Sequence, residues 1–231
     1  MEWDVLETGV SSATENMELD GELLAQLGGR ENPILHLYEW KRPSVTFGYF
    51  IRPERVVNLG EAEKAGLDWS RRPTGGGVVF HLWDLAFSVL VPARCSLFSE
   101  NTLENYGLVN RVVQKVVKDF LGAATSLIPT DGDLVHPQCS HFCMARPTKY
   151  DVVLEGRKIA GAAQRKTKDG FLHQGTIALI PPDEELLLKL LAPEVKEAMV
   201  QSTFPLFNDP QELDNGRQLL TERLKRFFTE L

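Results

Sequence analysis

The chain of 231 residues contains only three cysteines, Cys95, Cys139 and Cys143. A count that is small and odd excludes a disulfide framework and predicts a reducing, cytoplasmic setting. No apolar run approaches the roughly 18 residues that span a bilayer. The acidic opening MEWDVLETGVSS lacks the apolar stretch of an export signal, so no membrane association is expected. Positive charge is also in deficit. Lys and Arg number 25 against 32 Asp and Glu, a formal net charge of −7 that argues against bulk nucleic-acid binding. Three common signatures are missing: the G-x-x-x-x-G-K-[ST] phosphate loop, the G-x-G-x-x-G fingerprint and the G-x-S-x-G elbow.

What is present is an ordinary globular composition, 43% hydrophobic and 25% charged. The length suits one domain over 1–231, or one large domain with a small addition. Helical spacing is predicted over 12–29, with Met17, Leu19, Leu23, Leu24 and Leu27 on the apolar face and Gly28-Gly29 as the stop. ILHLYEW (34–40) and SVTFGYF (44–50) read as strands either side of Pro43, and EAEKAGLDW as a short helix ending at Gly66. VVFH and LAFSVLVP read as further strands. The clearest helix is 102–122, with Leu103, Tyr106, Val109, Val113, Val117 and Phe120 in register and Gly122 at its C-cap. YDVVL, RKIAGAAQR and FLHQGTIALI follow as strands separated by the turns EG and KDG, and 181–231 reads as proline-punctuated helices. The expected class is α+β, with mixed, largely antiparallel sheets flanked by helices.

Two stretches carry chemistry. RRPTGGGVVFH places Arg71 and Arg72 before Gly75, Gly76 and Gly77, then Val78, Val79, Phe80 and His81. Consecutive glycines expose backbone N–H groups that can cradle an anion, and arginines supply fixed, forked donors. On this run alone, a glycine-rich hairpin with solvated arginines explains the pattern equally well. The second stretch is EGRKIAGAAQRKTKDGFLHQGTI (155–177). Lys158 follows a turn, and the small residues Ala160 to Ala163, including Gly161, leave room for a ligand against the strand. Gln164, His173 and Gly175 border the same space if the two strands pair. Taken alone, Lys158 reads as a surface lysine beside a turn.

Together the two stretches resemble the lipoate–protein ligases and octanoyltransferases, relatives of the biotin–protein ligases. RRPTGGGVVFHLWDLAFS and DVVLEGRKIAGAAQRKTKDGFLHQGTI match two family segments. ENMELDGELL and LHLYEWKRPSVTFGYF match the opening helix and a strand pair, so the likeness runs from about residue 14 to about 180. The resemblance implies a biotin/lipoyl-ligase-like catalytic domain with the acyl chain near the glycine run. It implies Lys158 as the essential lysine at the acyl carbonyl, and Arg72, Gly75 to Gly77, Val78 to His81, Gly161, Ala163, Gln164, His173 and Gly175 around the substrate.

The family holds two chemistries. A ligase activates free lipoate with ATP and Mg²⁺ to lipoyl-AMP. A transferase takes octanoyl from acyl carrier protein, often through a cysteine thioester. Both deliver to a lysine of a lipoyl-domain acceptor protein. The intact glycines through Gly77 favour the ligase. Cys143, fifteen residues before Lys158, resembles the nucleophile of one transferase branch and carries the alternative. Asp151 is a candidate for the metal or for orienting Lys158. His136, Cys139, His141 and Cys143 crowd one loop, but their spacing fits no common zinc pattern. A third reading is a non-catalytic protein that holds an acyl chain or an acyl carrier; the retained Lys158 disfavours it. The basic run RKTKDG (165–170) offers a steering surface for an acidic partner, or is a solvated hairpin turn.

Overall fold

A computed structural model describes residues 2–134 and 136–231. Seven strands form one sheet: β1 (Asp4–Ser11), β2 (Ile34–Trp40), β6 (Asp84–Pro92), β7 (Ser126–Leu127), β8 (Val152–Leu154), β9 (Arg157–Thr167) and β10 (Gly170–Ala178). Their spatial order is β1-β2-β6-β10-β9-β8-β7. A second sheet of three strands, ordered β4-β3-β5, is built from β3 (Ser44–Phe47), β4 (Asp68–Arg71) and β5 (Val78–His81). Most neighbours are antiparallel; β1 runs parallel to β2, and β3 to β4. The α+β class expected from the element order is the class observed.

The long central strands β6 and β10 are buried along their whole length, which accounts for their near-continuous apolar sequence. Helix α1 (Ala13–Ala25) opens with a reciprocal capping box between Ser12 and Glu15. Asp68 Oδ2 accepts from Ala13 N at 2.9 Å and ties the helix start to the smaller sheet. Helix α2 (Leu59–Lys64) is short. Helix α3 (Thr102–Leu121) is capped by Asn101 and stopped at Gly122, which adopts φ 63°. Its buried stripe is Val109, Val112, Val113, Val116 and Val117. Leu103, expected on that face, is 48% exposed because it sits in the first turn, before the helix reaches the sheet.

After residue 180 come α4 (Glu184–Leu190), α5 (Pro193–Ser202) and α6 (Leu213–Thr229). Helix α6 returns to the beginning of the chain. Phe228 packs on Trp3 at 5.2 Å between ring centres and on Phe87 at 6.4 Å, and Lys225 pairs with Glu7 at 2.7 Å. Among the described residues, no helix is long and apolar enough to cross a membrane.

Strands β1 and β4 were not expected. Both are edge strands with one face in solvent, and DVLETGVS and DWSR carry too few apolar residues to announce themselves. SVTFGYF was expected to run through Phe50, but the strand ends at Phe47. The chain turns at Gly48, where any Cβ would collide with the carbonyl of Gly76.

Candidate active site

Strands β9 and β10 pair with Ala163 opposite Gln174 and Gly161 opposite Thr176. Side chains alternate across a strand, so these four residues share one face. The smaller sheet offers Thr46, Val79 and His81 to the same space. A narrow cleft lies between them, closed by Met17, Tyr38 and Arg72 and by Cys143, Met144 and Lys158; Ala162 and Gly175 border it.

Arg72 is buried, and its guanidinium organises the glycine run. It donates to Thr46 O at 3.0 Å and Thr46 Oγ1 at 2.8 Å, and to the carbonyls of Gly75 at 3.0 Å and Gly77 at 2.9 Å. With those carbonyls held on the arginine side, the Gly77 N–H donates to Cys143 Sγ at 3.2 Å. Burial lowers the Arg72 pKa, while Cys143 and Tyr38 act the other way; a guanidinium remains charged under such a shift. The backbone of His141 passes directly over Gly77, which leaves no room for a side chain there.

Lys158 is buried as well. Its Nζ lies 2.7 Å from Asp151 Oδ2 and donates to the carbonyl of Cys143 at 2.9 Å. Asp151 is fully buried and also accepts from Thr148 N at 2.6 Å and Thr148 Oγ1 at 2.8 Å, with the Tyr106 hydroxyl 3.3 Å from its Oδ1. Burial, then the Asp151 charge, pushes the Tyr106 phenol well above its ordinary range, so it stays a neutral hydroxyl. A Cβ on Gly161 would overlap Lys158 Cε and Nζ. We therefore expect Gly161→Ala to displace the lysine head and lower turnover at this site about 10²-fold, as a misplacement of about 1 Å does. Steady-state rates beside the melting temperature check it: unchanged rates in a folded variant refute it.

Two polar networks back the cleft. His81 contacts Thr46 Oγ1 through Nε2 and Asp84 Oδ2 through Nδ1, both at 2.8 Å, under the stacked ring of Trp40. Thr176 Oγ1 donates to the same Asp84 oxygen. In the second network, Gln174 Nε2 donates to Asp20 Oδ2 at 2.6 Å and its Oε1 accepts from Thr74 Oγ1 at 2.6 Å. Asp20 is held in turn by Ser88 at 2.6 Å and His36 at 2.8 Å. Asp20 thus fixes the amide orientation that anchors Thr74 at the start of the glycine run.

Several expected site residues lie elsewhere. Arg71 is exposed and donates to the carbonyls of Gly48, Tyr49 and Ile51. Val78 and Phe80 alternate away from the cleft into the main core, while Gly75 and Gly76 form its rim rather than its wall. Gln164 and His173 do pair across the strands, but on the face opposite the cleft. There Gln164 donates to Thr102 O at 3.1 Å, and His173 packs on Tyr106 at 5.1 Å. A one-residue choice separates His173 from Gln174. Asp151 holds Lys158 and has its second oxygen at Tyr106, so it does not stand open as a metal ligand. In the crowded loop, Cys139 is buried in the core and His136 accepts from Gln138 N, while Cys143 alone of the four lines the cleft. Among the described residues, no three metal-ligating side chains gather.

Sequence reading missed Met17, Tyr38, Thr46, Thr74, Met144, Gln174 and Thr176. One signal was available: Asp20 falls on the stripe Met17, Asp20, Leu24, Leu27, and an acid on a buried stripe needs a partner network.

Burial pushes the His173 imidazole down to about 3. A folded pKa below the unfolded value means stability is lost as pH falls from about 6.5 towards 3, by about 1.4 kcal/mol per pH unit. His173→Leu is expected to flatten that slope in urea titrations across this range. An unchanged slope refutes the assignment.

The family model of the lipoyl protein ligase A/B catalytic domain matches residues 12–222. A similar curated protein is the octanoyltransferase LipM of Anoxybacillus flavithermus, 32% identical over 98% of this chain and 84% of its own length. Among solved structures, lipoate-protein ligase A bound with ATP superposes with a TM-score of 0.72 at 25% identity, over 100% of this chain and 85% of the other. A bi-partite lipoate protein ligase from Thermoplasma acidophilum, described with its E2 lipoyl domain, shares the fold. Its TM-score is 0.68 at 22% identity, over 99% and 84% of the two chains.

Proposed function

The chain belongs to the lipoyl protein ligase A/B catalytic domain family, and on that premise we propose that it is an octanoyltransferase working through a Cys143 thioester. The observation that carries this reading is the position of Cys143: its sulfur lies in the cleft on the Gly77 N–H, and its own carbonyl is bound by the buried ammonium of Lys158. The likeness to LipM octanoyltransferases supports it and displaces the ATP-dependent ligase favoured from the glycine run.

The chemistry has two balanced steps. The Cys143 thiol gives up its proton, and its sulfur attacks the carbonyl of an octanoyl thioester on acyl carrier protein. The carrier C–S bond breaks, and the carrier thiolate leaves and takes up a proton. The acceptor lysine amine of a lipoyl domain then attacks the Cys143 thioester. The new C–N bond forms, the C–S bond breaks, and the amine proton returns to sulfur. In both steps negative charge develops on the acyl oxygen. A buried lysine already within hydrogen-bond reach of residue 143 is placed to meet it. Gly77 N–H donates to that sulfur at 3.2 Å and orients it in the cleft. The apolar walls, Met17, Tyr38, Val79 and Met144, suit an alkyl chain.

The ligase reading retains one observation, the superposition on an ATP-bound ligase. It would require ATP and Mg²⁺, and Asp151, the carboxylate considered for that metal, is already engaged with Lys158 and Thr148. One assay separates the readings. Apo lipoyl domain is incubated with octanoyl carrier without ATP, or with free lipoate, ATP and Mg²⁺, and its intact mass is followed. Octanoyl gain without ATP is expected; gain only with ATP overturns the transferase, and gain in neither arm leaves an acyl-binding protein.

A further inference from the structure

Beside the cleft mouth stands a rigid, exposed aromatic tip. Phe50 is 86% exposed and Tyr49 51%, and their rings meet edge to face at 5.1 Å. The backbone beneath them is pinned. Arg71 Nη1 donates to Tyr49 O and Ile51 O, both at 2.7 Å, and Tyr49 N donates to Thr74 O at 2.9 Å. Arg165 lies over the Tyr49 ring at 5.6 Å and donates to Pro73 O. An exposed apolar side chain alone means little. A preorganised aromatic pair with an arginine has the composition of a binding hot spot.

The tip is close to the nucleophile. It follows Gly48, which touches the Gly76 carbonyl, and a Cβ on Gly76 would lie 3.6 Å from Cys143 Sγ. We propose that Tyr49 and Phe50, with Arg165 and Arg52, form the seat of the lipoyl-domain acceptor while its lysine reaches Cys143. The proposal rests on the acyl-transfer reading above and names where its second substrate docks.

Reach selects the occupant. A lysine amine lies about 6 Å from its own Cα and must come within about 3.5 Å of the thioester carbon. The acceptor's backbone therefore approaches to about 10 Å, and its body cannot avoid the rim. An acyl group delivered on a long, flexible carrier arm imposes no such closeness. Charge selects the chemistry. Arg165 lies against the tip and exposed Arg52 follows Phe50 by two residues, local positive charge on a chain whose net charge is −7, which favours an acidic partner at the tip.

The test divides the two half-reactions. Self-acylation of Cys143 by octanoyl carrier is timed by intact mass, and transfer to apo lipoyl domain is timed separately in the acylated enzyme. Phe50→Ala is expected to raise the acceptor KM about tenfold, the scale of a hot-spot truncation, with self-acylation and melting temperature unchanged. Arg165→Glu raises it further and reverses the salt dependence. An acceptor KM unchanged in both variants overturns the seat. So does a loss confined to self-acylation, which would assign the tip to the donor. Direct titration of apo lipoyl domain onto wild type and Phe50→Ala is run in parallel. If Cys143 never acylates, the transferase reading falls, while tenfold weaker binding by Phe50→Ala still supports the seat and equal binding overturns it.

Discussion

Cys143→Ala is expected to lower ATP-independent octanoyl transfer by about 10⁴-fold or more, the scale on which nucleophile deletions act. On the transferase reading, the intact mass of the wild-type protein should show a covalent octanoyl adduct after the carrier is added, and that of the variant should not. Folding should hardly change. Cys143 is only partly buried, and its side chain accepts from Gly77 N–H, a bond worth about 1 kcal/mol, and from the Arg72 guanidinium, which keeps its partners on Thr46, Gly75 and Gly77. A large loss of rate with a preserved melting temperature thus separates chemistry from packing. A variant that still transfers octanoyl at more than a tenth of the normal rate rules out the thioester.

Lys158→Met should be costly twice. The lysine's ammonium is the partner of a fully buried carboxylate, and removing one member of such a pair costs about 3–5 kcal/mol because the other charge is stranded. Set against a total stability of about 5–15 kcal/mol, that is a large fall. The chemical loss is separate, about 10²–10³-fold for a donor facing developing charge. The double variant Lys158→Met with Asp151→Asn resolves the two. The stranded charge is gone, and the amide oxygen of the new side chain can still accept from Thr148, so most of the melting temperature should return. The rate should not. Recovery of both would reduce Lys158 to a structural ion pair.

The central strands and the long helix were readable for different reasons: β6 and β10 are buried throughout and carry apolar runs, and α3 repeats a valine stripe at helical spacing. Edge strands were not, since half of β1 and β4 faces water and their register comes from neighbours distant in sequence. At the site, Arg72, His81, Cys143, Lys158 and Gly161 were legible from chemistry and small-residue spacing. Gln164 and His173 stand on the face opposite the cleft, because strand phase is fixed by what packs on each face, here α3 through Tyr106, and not by the residues in the strand. Tyr38, Thr46 and Thr74 were invisible: each is an ordinary residue in its own segment and acquires a role only when the two sheets meet.

The clasp between helix α6 and the first strand has a consequence for folding. Trp3 and its aromatic partner Phe228 are far apart in sequence, so their contact closes a very long loop. Until α6 docks, the edge of the large sheet, and Phe87 beneath the same ring, stay uncovered. A partly folded chain that lacks this contact presents an unfinished apolar surface, so the docking of α6 bears directly on the yield of refolding.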